Sequence, residues 1–126
     1  MDIQIGKTAV AATIVDKSNT ALAVGSGNLE VFGTPMMIAL MEKAACEALG
    51  SFLDENQTSV GISVNIEHTS ASLIGAKVSA TATITATSGR KVSFNLVASD
   101  DNGTIGKGAH ERFVVDSKRF MDKLQK

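Results

Sequence analysis

The apolar residues of this chain follow two periods. Between 34 and 50, in "TPMMIALMEKAACEALG", they fill nearly every position. That predicts a helix apolar on most of its sides. Thr34 is a suitable N-cap, Pro35 suits the first helical position, and Gly50 suits the residue just past the end. The helix they bracket is about 22 Å long. Elsewhere the period is two. "TAVAATIVD" (8–16) and "NTALAVG" (19–25) read as two strands joined by a turn at Asp16-Lys17-Ser18-Asn19. After the helix come four more strand-like segments: 59–69, 76–87, 91–99 and 104–116. Val60, Ile62, Val64 and Ile66 share a parity, as do Val78, Ala80, Ala82 and Ile84, and again Val92, Phe94, Leu96 and Ala98. "SGR" (88–90) and "DDNG" (100–103) are hairpin turns, the Asn-Gly pair being the stronger signal. The tail "SKRFMDKLQK" suits a short helix or a frayed end.

The connections in the second half are short, which means antiparallel pairing. A helix apolar on nearly all sides needs cover on nearly all sides. The pattern therefore predicts an α+β hotdog fold, a curved antiparallel sheet wrapped around one long central helix. Strands do not alternate with helices, so a doubly wound fold is disfavoured. Residues 1–126 read as a single domain, without a linker or repeat.

Composition narrows the function. Net charge is −1, from 12 basic and 13 acidic residues, with none of the basic excess of a nucleic-acid binder and no basic run for a membrane surface. No segment approaches the apolar length of a bilayer span, and "MDIQIGKTAV" does not resemble a signal peptide. Cys46 is the only cysteine, which fits a reducing cytoplasm. With His68 and His110 as the only histidines, no Cys/His metal site is expected. "GSGN" is not a dinucleotide fingerprint and "GTIGKG" is not a P-loop. Met36, Met37 and Met41 read as core filling, and Cys46 as helix packing.

One residue breaks the helical pattern. Lys43 and Glu47, four apart, mark a solvated edge. Glu42 instead has Ile38, Ala39, Ala45 and Cys46 as its neighbours at three and four residues. That points its carboxylate toward buried or half-buried surroundings, where an acid is either a rim residue reaching water or a base with a raised pKa. His68 continues the parity of Val60 to Ile66, so it is expected on the strand face that meets the helix. A histidine and a carboxylate at one helix–sheet junction form a candidate acid–base pair. Thr34 adds a hydroxyl at the helix N-terminus, which also favours developing negative charge. His110 and Arg112 share a parity and read as an ordinary polar strand face.

"VFGTPMMIALMEKAACEAL", "GISVNIEHTSAS" and "GKGAHERFVV" together resemble the fluoroacetyl-CoA thioesterase-like branch of the hotdog thioesterases, from about Val31 to Val115. The resemblance implies hydrolysis of an acyl-CoA thioester by a threonine, a glutamate and a histidine, here Thr34, Glu42 and His68. It implies a glycine amide, Gly61, at the thioester carbonyl, and an arginine, Arg112, holding the CoA portion. It further implies a homodimer with the site between subunits, and no cofactor beyond the CoA of the substrate. The loop "GSGNLE" departs from the member named for fluoroacetyl-CoA: Gly25 and Asn28 stand where that member carries aromatic rings. A more open acyl pocket and a short or medium acyl group follow. The attacking group stays open among Thr34, a water and Glu42. The rival readings are an acyl-CoA-binding module that does not cleave, serving as sensor or sink, and a hotdog dehydratase, whose helix motif differs.

Overall fold

The computed structural model describes residues 2–125. Its elements are β1 (Thr8–Ile14), α1 (Ala21–Val24), α2 (Thr34–Gly50), β2 (Gln57–His68), β3 (Lys77–Ser88), β4 (Lys91–Asp100), β5 (Gly103–Asp116) and α3 (Ser117–Leu124). The five strands form one antiparallel sheet in the order β1-β3-β4-β5-β2. Helix α2 lies in its curve, packed chiefly on β3 and β1 and more lightly on β4 and β2. This is the expected hotdog arrangement.

Alternation in β3 and β4 does what the pattern predicts. Val78, Ala80, Ala82, Ile84, Val92, Phe94, Leu96 and Ala98 are all buried. Small residues on β3 let the helix approach closely, and Met37, Met41 and Leu49 fill the space between. Gly89 and Gly103 take positive φ in the two hairpin turns.

The segment 19–25 is not a strand. Thr20 Oγ1 accepts a hydrogen bond from the Ala23 amide at 3.1 Å, and Gly25 closes the turn in the left-handed region, so Ala21–Val24 is one helical turn. A good cap and two alanines outweigh an alternation that has no partner strand to bury it. Helix α2 also begins one residue differently from expectation. Gly33 is its N-cap, its carbonyl accepting from the Met36 and Met37 amides at 2.9 and 3.0 Å. Thr34 is thus within the first turn, its hydroxyl released from capping.

Helix α2 is buried on one side rather than all round. Met37, Leu40, Met41, Ala44, Ala45, Ala48 and Leu49 face the sheet. Ala39, Lys43, Cys46 and Glu47 face solvent, so Cys46 is a surface residue and not a packing one.

In β2 a bulge between Gly61 and Ser63 inserts Ile62 as an extra residue. The bulge breaks the expected shared parity. Val64, Ile66 and His68 keep to the helix side, but Val60 pairs with Phe113 on the outer face, and Ile62 is half exposed. Downstream of β5, the Asp116 carboxylate caps α3 by accepting from the Arg119 amide at 2.9 Å.

Candidate active site

Five residues were expected to form the site, and the fold gathers them into two clusters along one seam. Thr34, Ile38, Glu42 and Cys46 recur every fourth residue, so they form one stripe along α2. From Thr34 to Glu42 this stripe runs beside β2, one of the sheet's two edge strands.

At the N-terminal end of the seam, Thr34 Oγ1 lies 2.8 Å from His68 Nδ1. The two residues come from the first turn of α2 and the last residue of β2. His68 Nε2 is buried and has no hydrogen-bond partner among the described residues. Burial pushes the imidazole below its ordinary pKa, against a smaller upward pull from the Ser70 backbone. The ring is therefore a neutral base at neutral pH. The pair opens on a cleft of about 260 Å³ walled by Ala21, Val31, Phe32 and Ala71, with Ser26 and Ser70 adding hydroxyls. The positive end of the α2 dipole points into the same region.

Two turns along the helix, roughly 12 Å from Thr34, Glu42 forms the second cluster. Its Oε2 accepts from Arg112 Nη1 at 3.1 Å, and the carboxylate is 38% exposed. Arg112 is buried on the inner face of β5. Its Nε donates to Ser59 Oγ at 2.8 Å and its Nη2 to the Ser59 carbonyl at 3.0 Å. Nη1 also donates to His110 Nε2 at 3.2 Å. Four of the five guanidinium N–H groups thus have partners, and the fifth has none among the described residues. Gly61 sits opposite Arg112 in the ladder. A Cβ at Gly61 would come 2.7 Å from Glu42 Oε2, so the missing side chain is what lets the carboxylate lie against the strand.

Glu42 and His68 therefore do not touch within one chain. His68 pairs with Thr34, and Glu42 pairs with Arg112. His110 was read as part of a polar strand face and is instead buried beside Glu42. Its placement depends on the β4–β5 register, which the turn alone does not set. The turn at Asp101-Asn102 pairs Asp100 with Gly103, and a one-residue shift at Ile105 then sets His110 opposite Phe94, on the apolar face of β4. Ser59 carried no signal, because its role depends on the bulge that follows it.

A larger depression of about 610 Å³ lies over β1, β3 and β4 beside Asp16 and Asp100, and includes none of these residues. Among the described residues, no group of His, Cys, Asp and Glu could hold a metal ion, and no helix is long and apolar enough to cross a membrane.

Residues 15–118 match the family described as fluoroacetyl-CoA-specific thioesterase. The chain is 35% identical over 96 residues to the fluoroacetyl-CoA thioesterase of Streptantibioticus cattleyicolor, covering 76% of this chain and 69% of that protein. A solved structure of the fluoroacetyl-CoA thioesterase FlK superimposes with a TM-score of 0.92 at 28% identity, over 99% of this chain and 97% of that one. A hypothetical protein of Thermus thermophilus, a thioesterase superfamily member, gives 0.91 at 26% identity, over 99% and 93%.

Proposed function

The chain belongs to the fluoroacetyl-CoA-specific thioesterase family, and from that premise we propose that it hydrolyses a short or medium acyl-CoA through Thr34, His68 and Glu42. The observation that carries this reading is the 2.8 Å contact between Thr34 Oγ1 and His68 Nδ1 at the mouth of a cleft. A hydroxyl held by a neutral imidazole is a nucleophile–base arrangement. Glu42 is a poorer nucleophile in this geometry, because Arg112 holds the oxygen nearest the strand. The attacking group is the Thr34 hydroxyl or a water that it positions, with His68 as the base. Attack on the thioester carbon gives a tetrahedral oxyanion, for which the Gly61 amide of the facing Glu42 cluster, supplied by a second copy, is a donor. The C–S bond then breaks and the CoA thiolate takes the proton held by His68; where water attacks, the acid leaves directly, and where the Thr34 hydroxyl attacks, a water activated by His68 cleaves the acyl-threonine ester, releasing the acid and restoring the hydroxyl. Water and acyl-CoA suffice, so no cofactor is invoked.

The two clusters meet, on this reading, across a homodimer. β2 is a twelve-residue edge strand with unpaired backbone groups, and Val64 on it is half exposed. Antiparallel addition of a second copy's β2 covers this edge and runs the two seams in opposite directions. The Thr34–His68 end of one copy then faces the Glu42 region of the other. Arg112 orients Glu42, and its remaining N–H meets the CoA portion. The exposed Cys46 suits the reducing cytoplasm.

Thiol release from a panel of acyl-CoAs tests the reading. Wild type releases thiol, and Glu42→Gln and His68→Ala each lose about 100-fold or more in kcat while remaining folded. Tight acyl-CoA binding without release would make the protein a sink.

A further inference from the structure

We propose that His110 is a positioning residue for the reaction, a neutral imidazole locked in one tautomer that fixes the Arg112–Glu42 pair. The inference rests on the thioesterase reading, and the hydrogen-bond inventory carries it. His110 Nδ1 lies 2.8 Å from the Ser63 carbonyl, which can only accept. The Nδ1 atom must therefore carry the proton. On the other side of the ring, Nε2 lies 3.2 Å from Arg112 Nη1, which can only donate. Nε2 must therefore be bare. Together the two partners leave a single state, uncharged, with its lone pair on the guanidinium.

The surroundings support that state. His110 is 1% exposed, and Phe94 packs near its ring with centroids 5.8 Å apart. Burial and the Arg112 charge push its pKa down, while the Ser63 carbonyl, Glu42 on α2 and Glu111 on β5 pull it up; burial is the largest influence. Across the sheet, Lys91 on β4 pairs with Glu111 at 3.5 Å. The 3.9 Å separation between His110 Nε2 and Glu42 Oε2 is thus a neutral contact and not an ion pair.

The consequence is geometric. Arg112 Nη1 has two N–H groups, and His110 takes one. Ser59 holds the other end of the guanidinium through its hydroxyl and its carbonyl. With both ends fixed, the second Nη1 N–H is aimed at Glu42 Oε2. Glu42 is on a helix and Arg112 on a strand, so this pair sets where the carboxylate stands relative to Gly61. The bulge beside Ser63 sets the strand path that brings its carbonyl to His110.

Two measurements test this. The first is heteronuclear NMR of the imidazole nitrogens in the wild-type protein, compared with His110→Phe for assignment. Protonated Nδ1 and bare Nε2 for His110, persisting below the pH at which an ordinary histidine titrates, is the expected result. The opposite tautomer, or an imidazolium at neutral pH, overturns the proposal. The second is kinetic. His110→Gln, which can still present an acceptor to Arg112, should keep more kcat than His110→Phe, which is expected to lose up to about 100-fold with KM little changed. In a Glu42→Gln background the same His110 substitutions should add little, because they act through Glu42. Equal losses in both backgrounds, or no gain of Gln over Phe, would also overturn it. If wild type hydrolyses acyl-CoA and Glu42→Gln does not, either negative outcome removes His110's role alone. A wild type without thiol release removes the thioesterase reading, and the NMR result still decides the tautomer.

Discussion

Gly61 shows how one missing side chain shapes the chemistry. Nothing about its backbone requires glycine; what requires it is the Glu42 carboxylate occupying the place of a Cβ. The obstructing atom is the end of a flexible side chain, so Gly61→Ala should fold with a nearly unchanged melting temperature. Its kcat should nonetheless fall by about 100-fold, because the carboxylate must move. A large melting shift with activity retained would contradict this. His68 makes a second prediction. Its folded pKa is lowered, so the neutral base persists below the ordinary histidine value of 6.5. The acid limb of the kcat/KM profile should accordingly lie below pH 6.5. Stability follows the same sign. The unfolded chain takes up protons at His68 and His110 before the folded one does, so stability present above 6.5 is lost as pH falls toward the folded values. Denaturant midpoints measured from pH 7 to 5 check this.

Whole elements were legible in the sequence where a buried face and a period coincided. Val78 to Ile84 and Val92 to Ala98 are such cases, with each alternate apolar residue inside. Segment 19–25 was not legible, since a period of two over so few residues competes with one capped turn. Strand β2 lost its phase at Ile62, because no local signal in an alternating run announces a bulge. Thr34, Glu42, His68, Gly61 and Arg112 all border the seam, yet their division into two clusters depends on helix length and register, which composition does not encode. Strand β5 adds a prediction at this scale. A Cβ at Gly108 would overlap the Asn65 carbonyl oxygen and come 2.6 Å from Ile66 Cα, and backbone atoms cannot step aside. Gly108→Ala should destabilise the fold by about 1–3 kcal/mol in urea unfolding. The substitution at Gly61 thus tests chemistry, while that at Gly108 tests the sheet.

For the whole molecule, the separation of Thr34–His68 from Glu42–Arg112 is what makes assembly part of the proposed function. Light scattering should report a dimer. Glu42→Gln and His68→Ala, each strongly impaired alone, should complement after mixing and refolding together. If each site draws His68 from one copy and Glu42 from the other, half the dimers are mixed and each holds one intact site. Activity should then recover to roughly a quarter of wild type. No recovery would place each site within one chain. The extra residue in β2 has its own consequence for how such a protein can vary. Ile62 offsets two halves of one strand, so exchanging its side chain alters little beyond the outer surface, whereas losing the residue would rotate Ser59 and Gly61 to the opposite side and dissolve the guanidinium's anchorage. At this locus length is constrained and identity is free, the reverse of what holds one position earlier.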